Sequence, residues 1–300
     1  MRIFLIGGSG YVGRHLTRRL AAEGRQVTAL ARSAGAADII AQAGGRPLLA
    51  SLDDAPAVAQ ASDLADAVIY VAQFPTVAEE TCAVRAGLDR CAGKDKIFVM
   101  TSGTGVLCRD PGGGWSEPVH AEDDPFDPHP LLRDRVLLED EVRARSGEIG
   151  RAMVIRPPQV YGHGGSVALP GMIAEARRRG FVPFVGPGLS IWSNVHVDDL
   201  CDLYIRMLDA GSGGSLYHAV GGEHCERHLA LEVGNAMGLP ARSIAISDIA
   251  GPYRSLAGCS SRSRAIRSRD ELGWRPRSTD MFTDLLSGSY FTALQDEGIL

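Results

Sequence analysis

The chain has 300 residues, 45% of them hydrophobic and 22% charged, with a formal net charge of −5. This composition is typical of a globular protein that is long enough to bury a large core without a metal or a disulfide. The 31 basic residues are balanced by 36 acidic ones, which argues against nucleic acid as a partner.

Cysteine spacing and the lengths of the apolar segments bear on the cellular compartment. The six cysteines show no CxxC pairing, so we expect reduced thiols. The apolar segment at residues 3–6 is too short for a secretory signal, and no stretch approaches the roughly 18 residues of a membrane span. We therefore expect a cytoplasmic protein that binds neither nucleic acid nor a membrane.

The first half of the chain alternates between strand and helix patterns. Buried strands are predicted at residues 3–6, 26–31, 67–72, 97–101 and 151–155. Helices are predicted at residues 11–22, 77–91 and 131–145. Continuous apolar strands separated by helices are typical of a parallel sheet covered on both faces.

The pattern changes after the strand predicted at residues 97–101. Residues 102–130 are rich in glycine and proline, and a loop of this length inside a domain is often functional. Beyond Pro157 we predict helices at residues 171–179 and 197–209 and one continuing through Leu229. Short strands are predicted before His196 and at residues 216–220.

A glycine loop joins the first strand to the first helix. Gly7, Gly10 and Gly13 fit the spacing of a dinucleotide-binding turn, in which the absence of Cβ atoms lets the backbone approach a pyrophosphate. The pyrophosphate would lie at the positive N-terminus of the helix. The alternative is a plain strand-to-helix turn.

The end of the second predicted strand bears on which dinucleotide binds. A carboxylate there would hold the adenosine 2′-hydroxyl of NAD, whereas this chain has Arg32 and Ser33. An arginine fork suits a 2′-phosphate, so we predict NADP(H) in preference to NAD(H). The alternative is that Arg32 is an ordinary solvated surface residue.

Five further motifs follow in order along the chain: VIYVA at 68–72, FVMTS at 98–102, IRPPQVYG at 155–162, VHVDDL at 195–200 and LGWRP at 272–276. With the glycine loop, they make the chain resemble the extended, epimerase/dehydratase-like branch of the short-chain dehydrogenase/reductase family. The resemblance implies an α/β fold, a Rossmann-type doubly wound parallel sheet with a smaller C-terminal substrate domain. The dinucleotide-binding domain would comprise residues 1–157 and 195–220, and the substrate domain residues 158–194 and 221–300.

The resemblance also implies cofactor contacts and a homodimer. Besides the three glycines, Arg32 and Ser33, the expected cofactor contacts are Ser9, Tyr11, Val12, Leu52, Ala72, Thr101, Arg135 and Pro158. Relatives often dimerise through two helices of the Rossmann domain, here residues 77–91 and 131–145, and by analogy we expect the same of this chain.

The usual catalytic pair of this family is missing. The family uses a tyrosine followed four residues later by a lysine. The only lysines here are Lys94 and Lys96. The residues four positions before them are Arg90 and Ala92, and neither is a tyrosine. An alignment from Glu139 places Leu131 at the tyrosine position and Arg135 at the lysine position. Leucine cannot transfer a proton. Arg135 could still bind the nicotinamide ribose, although an arginine is a poor proton relay; alternatively, it is a helix-surface residue without a ligand.

Four side chains are candidates for proton delivery or for orienting a substrate carbonyl. Ser102 and Thr104 flank the position of the family's catalytic hydroxyl, and could instead cap the strand end. Tyr161 follows a strand that usually passes the nicotinamide, yet a core tyrosine bonded to backbone is the stronger interpretation. His129 lies in the long loop and suits proton transfer at neutral pH, although a surface histidine is the more common case.

Two further observations bear on a possible metal site and on the polarity of the substrate pocket. His224, Cys225 and His228 lack the additional ligands of a zinc site, with His218 the only obvious addition, so we expect no metal there. Trp192 stands where relatives that use nucleotide sugars often have an arginine. This substitution suggests a more apolar substrate pocket.

Together the sequence predicts an NADP(H)-dependent oxidoreductase acting on a small carbonyl, alcohol or imine through a non-standard catalytic site. An epimerase or dehydratase that keeps NAD(P) tightly bound is one alternative. A non-catalytic NADP(H)-binding sensor or interaction protein is the other, and the missing tyrosine and lysine favour it.

Overall fold

The computed structural model describes residues 1–166, 169–249, 256–290 and 292. Its first half is a regular alternation of strands and helices. In chain order these are β1 Arg2–Ile6, α1 Tyr11–Ala22, β2 Gln26–Ala31, α2 Ala34–Gln42, β3 Arg46–Leu49, α3 Ala55–Leu64, β4 Ala67–Tyr70, α4 Val77–Cys91, β5 Lys96–Thr101, α5 Arg133–Ala144 and β6 Gly150–Arg156.

The second half has shorter elements. They are β7 Gln159–Gly162, β8 Gly165–Ser166, α6 Leu169–Arg179, β9 Val182–Val185, β10 Ile191–His196, α7 Val197–Ala210, β11 Leu216–His218, β12 Gly222–Cys225, α8 Glu226–Met237, β13 Ala241–Ile244, α9 Ile266–Asp270 and α10 Met281–Ser287. Short 3-10 turns lie at Thr104–Leu107, Pro130–Leu132 and Ile246–Asp248.

A seven-stranded parallel sheet dominates the fold. Its strand order is β11-β6-β5-β4-β1-β2-β3, so the chain reverses direction across the sheet between β1 and β4. Apolar clusters cover the sheet on both faces, one with α1 and α7 and the other with α4 and α5. The predicted α/β Rossmann-type fold is therefore confirmed.

Two small sheets lie outside the large one. Strands β12, β10, β7 and β8 form one, and β13 pairs with β9 in the other. The 195–220 segment contributes α7, which packs on α1, and β11, which extends the large sheet.

The C-terminal segment packs partly on the large sheet and its helices. Ala265, Leu272 and Trp274 are buried in the same apolar cluster as β1 and α7. The predicted division of the chain at residue 221 therefore separates side chains that share one core.

Most predicted elements of the first half are present with small boundary differences. The helix predicted from Leu131 begins at Arg133, because a 3-10 turn over Pro130–Leu132 precedes it. Helices α2 and α3 and strand β3 were not predicted; α2 and α3 are rich in alanine, and β3 has only four residues, none fully buried.

Candidate functional site

The glycine loop forms a tight turn between β1 and α1. Gly7 has φ +99°, and a Cβ there would lie 2.6 Å from the backbone nitrogen of Ala72. A Cβ on Gly13 would collide with the Gly7 carbonyl oxygen. Gly10 begins α1 without a side-chain cap, and the first turn of α1 holds no acidic residue. The N–H groups there are therefore free to bind an anion such as pyrophosphate.

Arg32 stands exposed directly after β2 at the carboxyl end of the sheet. Within the described part of the chain, no side chain forms a hydrogen bond or ion pair with its guanidinium. Ser33 is the N-cap of α2, where its side chain accepts a hydrogen bond from the Ala36 amide at 3.2 Å. Both residues lie at the same edge of the sheet as the glycine loop, because β1 and β2 run parallel and each segment follows the carboxyl end of its strand.

The other predicted cofactor contacts are spread along the same edge. Leu52 follows β3 and Ala72 follows β4, and both are half-buried. Pro158 is buried just beyond β6. Of the loop residues, Ser9, Tyr11 and Val12 remain partly accessible at the start of α1.

The hydroxyls after β5 lie beside the end of β6. Thr101 Oγ1 is 2.5 Å from the hydroxyl of the buried Tyr204. The Thr104 amide donates to the Pro157 carbonyl at 2.9 Å. The hydroxyl oxygens of Ser102 and Thr104 are buried and have no hydrogen-bond partner among the described residues. Because buried polar atoms are normally satisfied, these two oxygens are suited to a ligand.

Arg135 is held by an acid that the sequence analysis did not identify. Its Nη2 lies 2.5 Å and its Nε 2.9 Å from Glu80 Oε2, and Glu80 is only 1% exposed. Burial raises the pKa of Glu80, and Arg135 opposes that rise. Glu80 precedes Val84 and Leu88 at four-residue spacing on the buried face of α4. An acidic residue at an apolar position of the helix predicted at 77–91 is the sequence signal that could have identified Glu80.

Tyr161 is less available for proton transfer than His129. Tyr161 is 4% exposed, its hydroxyl donates to the Thr279 carbonyl at 2.8 Å, and burial raises its pKa. These are the contacts of a core tyrosine. His129 caps the 3-10 turn before α5, with Nδ1 accepting from the Leu131 amide at 3.4 Å. Leu131 itself is 56% exposed.

The histidines considered for zinc do not converge. His224 is buried with its Nδ1 3.1 Å from Asn194 Nδ2, and His218 bonds through Nδ1 to the Arg264 carbonyl. His228 is exposed and stacks on Phe282. Trp192 pairs with His224 in the small sheet, which places it among these residues.

No helix within the described ranges is both long enough and apolar enough to span a membrane.

Two family models match overlapping parts of the chain. The model described as NAD(P)H-binding matches residues 7–149, and the model of the NAD-dependent epimerase/dehydratase family matches residues 117–220. Together they include the glycine loop, the strand ends and the VHVDDL motif.

Curated relatives align over most of this chain. An uncharacterised protein of Schizosaccharomyces pombe is 28% identical, with 97% of this chain and 100% of the relative covered. A 4-hydroxy-2-methyl-3-oxo-4-farnesyl-3,4-dihydroquinoline-1-oxide ketoreductase of Stigmatella aurantiaca is 27% identical, with 75% of this chain and 70% of the relative covered.

Solved structures with the same fold include nucleotide-sugar enzymes. The UDP-glucuronic acid 4-epimerase of Bacillus cereus superposes with a TM-score of 0.80 at 14% identity, covering 98% of this chain and 100% of the other. The dTDP-glucose 4,6-dehydratase of Streptomyces venezuelae, solved with NAD, gives 0.77 at 22% identity, covering 99% and 97%. At these identities the likeness shows the fold.

Proposed function

Because the chain belongs to the NAD(P)-binding epimerase/dehydratase branch of the short-chain dehydrogenases/reductases, we propose that it is an NADP(H)-dependent oxidoreductase. Its substrate would be a small carbonyl compound, the corresponding alcohol, or an imine. The observation that carries the proposal is the exposed, unpartnered guanidinium of Arg32 beside the N-terminus of α2. A 2′-phosphate would give this cation the bidentate partner that it lacks among the described residues.

The residues present fit a dinucleotide. Side chains at Gly7 and Gly13 would fill the space where the loop must turn, and the uncapped start of α1 supports a pyrophosphate. Arg32 and the α2 N-terminus would hold the 2′-phosphate. When bound, the nicotinamide supplies or accepts hydride.

The hydroxyls of Ser102 and Thr104 would orient the substrate oxygen, because they are buried polar atoms without partners within the described ranges. The Tyr161 hydroxyl already donates a hydrogen bond to the Thr279 carbonyl, and Arg135 is paired with Glu80. Proton delivery would therefore come from Ser102 or Thr104, from His129, or from solvent.

Trp192 and the ketoreductase relative favour a reductase over a sugar-nucleotide enzyme. An indole offers apolar surface and a single N–H donor where an arginine would grip a diphosphate. This supports an apolar or aromatic carbonyl compound as substrate.

The cofactor proposal is tested by measuring dissociation constants for NADPH and NADH. We expect the wild type to bind NADPH more tightly, and Arg32→Ala to weaken NADPH binding about tenfold or more with little change for NADH, since a charge-assisted bond contributes about 1.5–3 kcal/mol. Arg46→Ala is the matched control, because Arg46 is an exposed arginine at the opposite end of the sheet. Tighter NADH binding by the wild type would refute the preference.

Activity is tested by following NADPH oxidation with a panel of ketones, aldehydes and imines. Turnover that falls in Ser102→Ala while the Kd for NADPH stays constant would support the assigned role of the hydroxyl. Nucleotide that copurifies and is not consumed would instead indicate an epimerase or dehydratase. Tight NADPH binding without turnover of any substrate would favour a sensor.

The homodimer is likewise a proposal, through the faces of α4 and α5. It is supported by Leu137, which is 60% exposed on α5. Light scattering on the purified chain tests it, and a monomer at micromolar concentration would refute it.

A further inference from the structure

A cluster of two histidines and an aspartate lies one helical turn beyond the glycine loop. His15 comes from α1, His163 from the turn between β7 and β8, and Asp198 from the first turn of α7. One possible ligand atom from each lies within 4.8 Å of the other two. Among the described residues this is the sole group of three or more potential metal ligands found at such spacing.

His15 is the buried member of the cluster. It is 8% exposed, and its Nε2 is buried without a hydrogen-bond partner in the described part of the chain. Its ring stacks on His163 with centroids 4.9 Å apart and planes at 15°. A buried imidazole nitrogen without a partner forgoes a hydrogen bond that it would make in water, so this nitrogen is available to a ligand.

His163 and Asp198 close the cluster from the solvent side. His163 Nε2 is 2.9 Å from Asp198 Oδ2, and both side chains are about half exposed. His163 has φ +53°, the one positive value recorded for a residue other than glycine in the described ranges. This conformation is costly for a residue with a Cβ, and it points to a role for this side chain.

The surrounding residues fix the positions of the three groups. His196 Nδ1 accepts the backbone N–H of Asp198 at 3.2 Å, which orients the start of α7. Tyr11 stands edge-on to His15 and donates its hydroxyl to the Gly162 carbonyl at 2.8 Å, which ties the turn of His163 to α1.

We propose that His15, His163 and Asp198 form a binding site for a divalent transition metal of the zinc class, outside the dinucleotide site. Two imidazoles and a carboxylate are the donors that such ions prefer, and the fourth tetrahedral position is left to water. Ligand distances of about 2.0–2.1 Å require the donor atoms to be about 3.4 Å apart. Because imidazole nitrogens bind a metal in the plane of the ring, the half-exposed His163 ring would turn out of its stack on His15, and the half-exposed Asp198 side chain would follow it.

The metal would link three elements that are distant in sequence. α1 carries the glycine loop, α7 covers the same face of the large sheet, and the β7–β8 turn belongs to the small sheet. A bound ion would therefore stabilise the contact between the dinucleotide domain and the segment that follows β6.

The test uses the full chain after treatment with a chelator and removal of that chelator. We expect Zn²⁺ to bind with one-to-one stoichiometry in calorimetry, at micromolar Kd or tighter, and to raise the melting temperature by linkage. Co²⁺ should give the visible absorption of a four-coordinate site with nitrogen and oxygen ligands.

His163→Gly separates ligand loss from misfolding, because glycine adopts the positive φ of residue 163 without strain. We expect this variant to keep its fold and to lose at least tenfold in Zn²⁺ affinity together with the Zn²⁺-dependent rise in melting temperature. His228→Ala is the matched control, since His228 Nε2 is also exposed and lies 3.5 Å from a carboxylate, that of Glu232. Unchanged Zn²⁺ binding by His163→Gly, or an equal loss in His228→Ala, would overturn the proposal.

Discussion

At the scale of single residues, the ion pair with Glu80 limits the chemistry of Arg135, the residue that aligns with the family lysine. Glu80 is nearly inaccessible and uses one carboxylate oxygen to bind both Nε and Nη2 of Arg135. An arginine held in this way is a poor proton relay, because its Nε and Nη2 donors are engaged in the ion pair. The pair is therefore a structural ion pair between α4 and α5 at the margin of the site.

Replacing Arg135 should destabilise the protein more than replacing an exposed arginine on the same helix pair. Arg135→Ala leaves the buried Glu80 carboxylate unpaired, and we expect the free energy of unfolding to fall by about 3 kcal/mol or more. Denaturant titration measures this change.

Arg85→Ala is the control for this prediction, because Arg85 pairs with Glu141 on the protein surface. Such exposed pairs contribute about 0–1 kcal/mol. Equal losses in the two variants would contradict the difference that we attribute to burial.

At the scale of elements, the LGWRP motif fastens the C-terminal segment to α7. Trp274 is fully buried, and its indole N–H donates to the Asp199 carbonyl at 2.9 Å. The Asp199 carboxylate in turn accepts the backbone amides of Arg277 and Ser278 at 2.9 and 3.0 Å. Two motifs that are 75 residues apart in sequence thus form one structural unit.

Trp274→Ala should therefore act as a large core deletion. We expect the free energy of unfolding to fall by about 3–5 kcal/mol, the usual cost of removing a buried aromatic side chain. The comparison is Trp115→Ala, in which the indole is 58% exposed and the expected loss is under about 1 kcal/mol. Denaturant midpoints that shift equally would show that Trp274 does not anchor the segment.

At the scale of the whole molecule, buried histidines make the free energy of unfolding depend on pH in the mildly acidic range. Burial lowers the pKa of His218 to about 3 and that of His224 to about 4. Arg156, His120 and Arg267 also lower the pKa of His218, whereas its bond to the Arg264 carbonyl raises it. Both imidazoles therefore stay neutral in the folded protein at a pH where they become protonated in the unfolded chain.

The direction of this pH dependence follows from the number of protons that each state binds. Below pH 6.5 the unfolded state binds more protons, so stability should fall as the pH is lowered from about 7 towards 4. Carboxylates with a lowered pKa, such as Asp66 at about 2, lose their contribution only below about pH 3.8. The histidine effect is thus separable in the range from pH 7 to pH 5.

We expect each of these histidines to account for about 2 kcal/mol of the stability lost between pH 7 and pH 5. His218→Asn should reduce the loss by that amount, because asparagine keeps a donor for the Arg264 carbonyl and does not titrate. His228→Asn, at an exposed site, should leave the loss unchanged. Urea unfolding of the three proteins at both pH values measures the difference.

The sequence by itself determined the large parallel sheet, the glycine loop and the absence of the tyrosine and lysine pair. These features depend on local patterns, namely apolar periodicity, glycine spacing and a count of lysines. It did not reveal helices α2 and α3, whose alanine-rich faces give weak periodicity, or the packing of Trp274 into the apolar cluster that covers one face of the large sheet.

Only the tertiary structure decided which side chains meet. Glu80 pairs with Arg135 because α4 and α5 lie side by side, and His15, His163 and Asp198 come together because α1, α7 and the β7–β8 turn converge. Such contacts join residues that are 35 to 183 positions apart, and no periodicity along the chain encodes them. Pairing across elements depends on how helices and sheets pack, so the site had to be found in three dimensions.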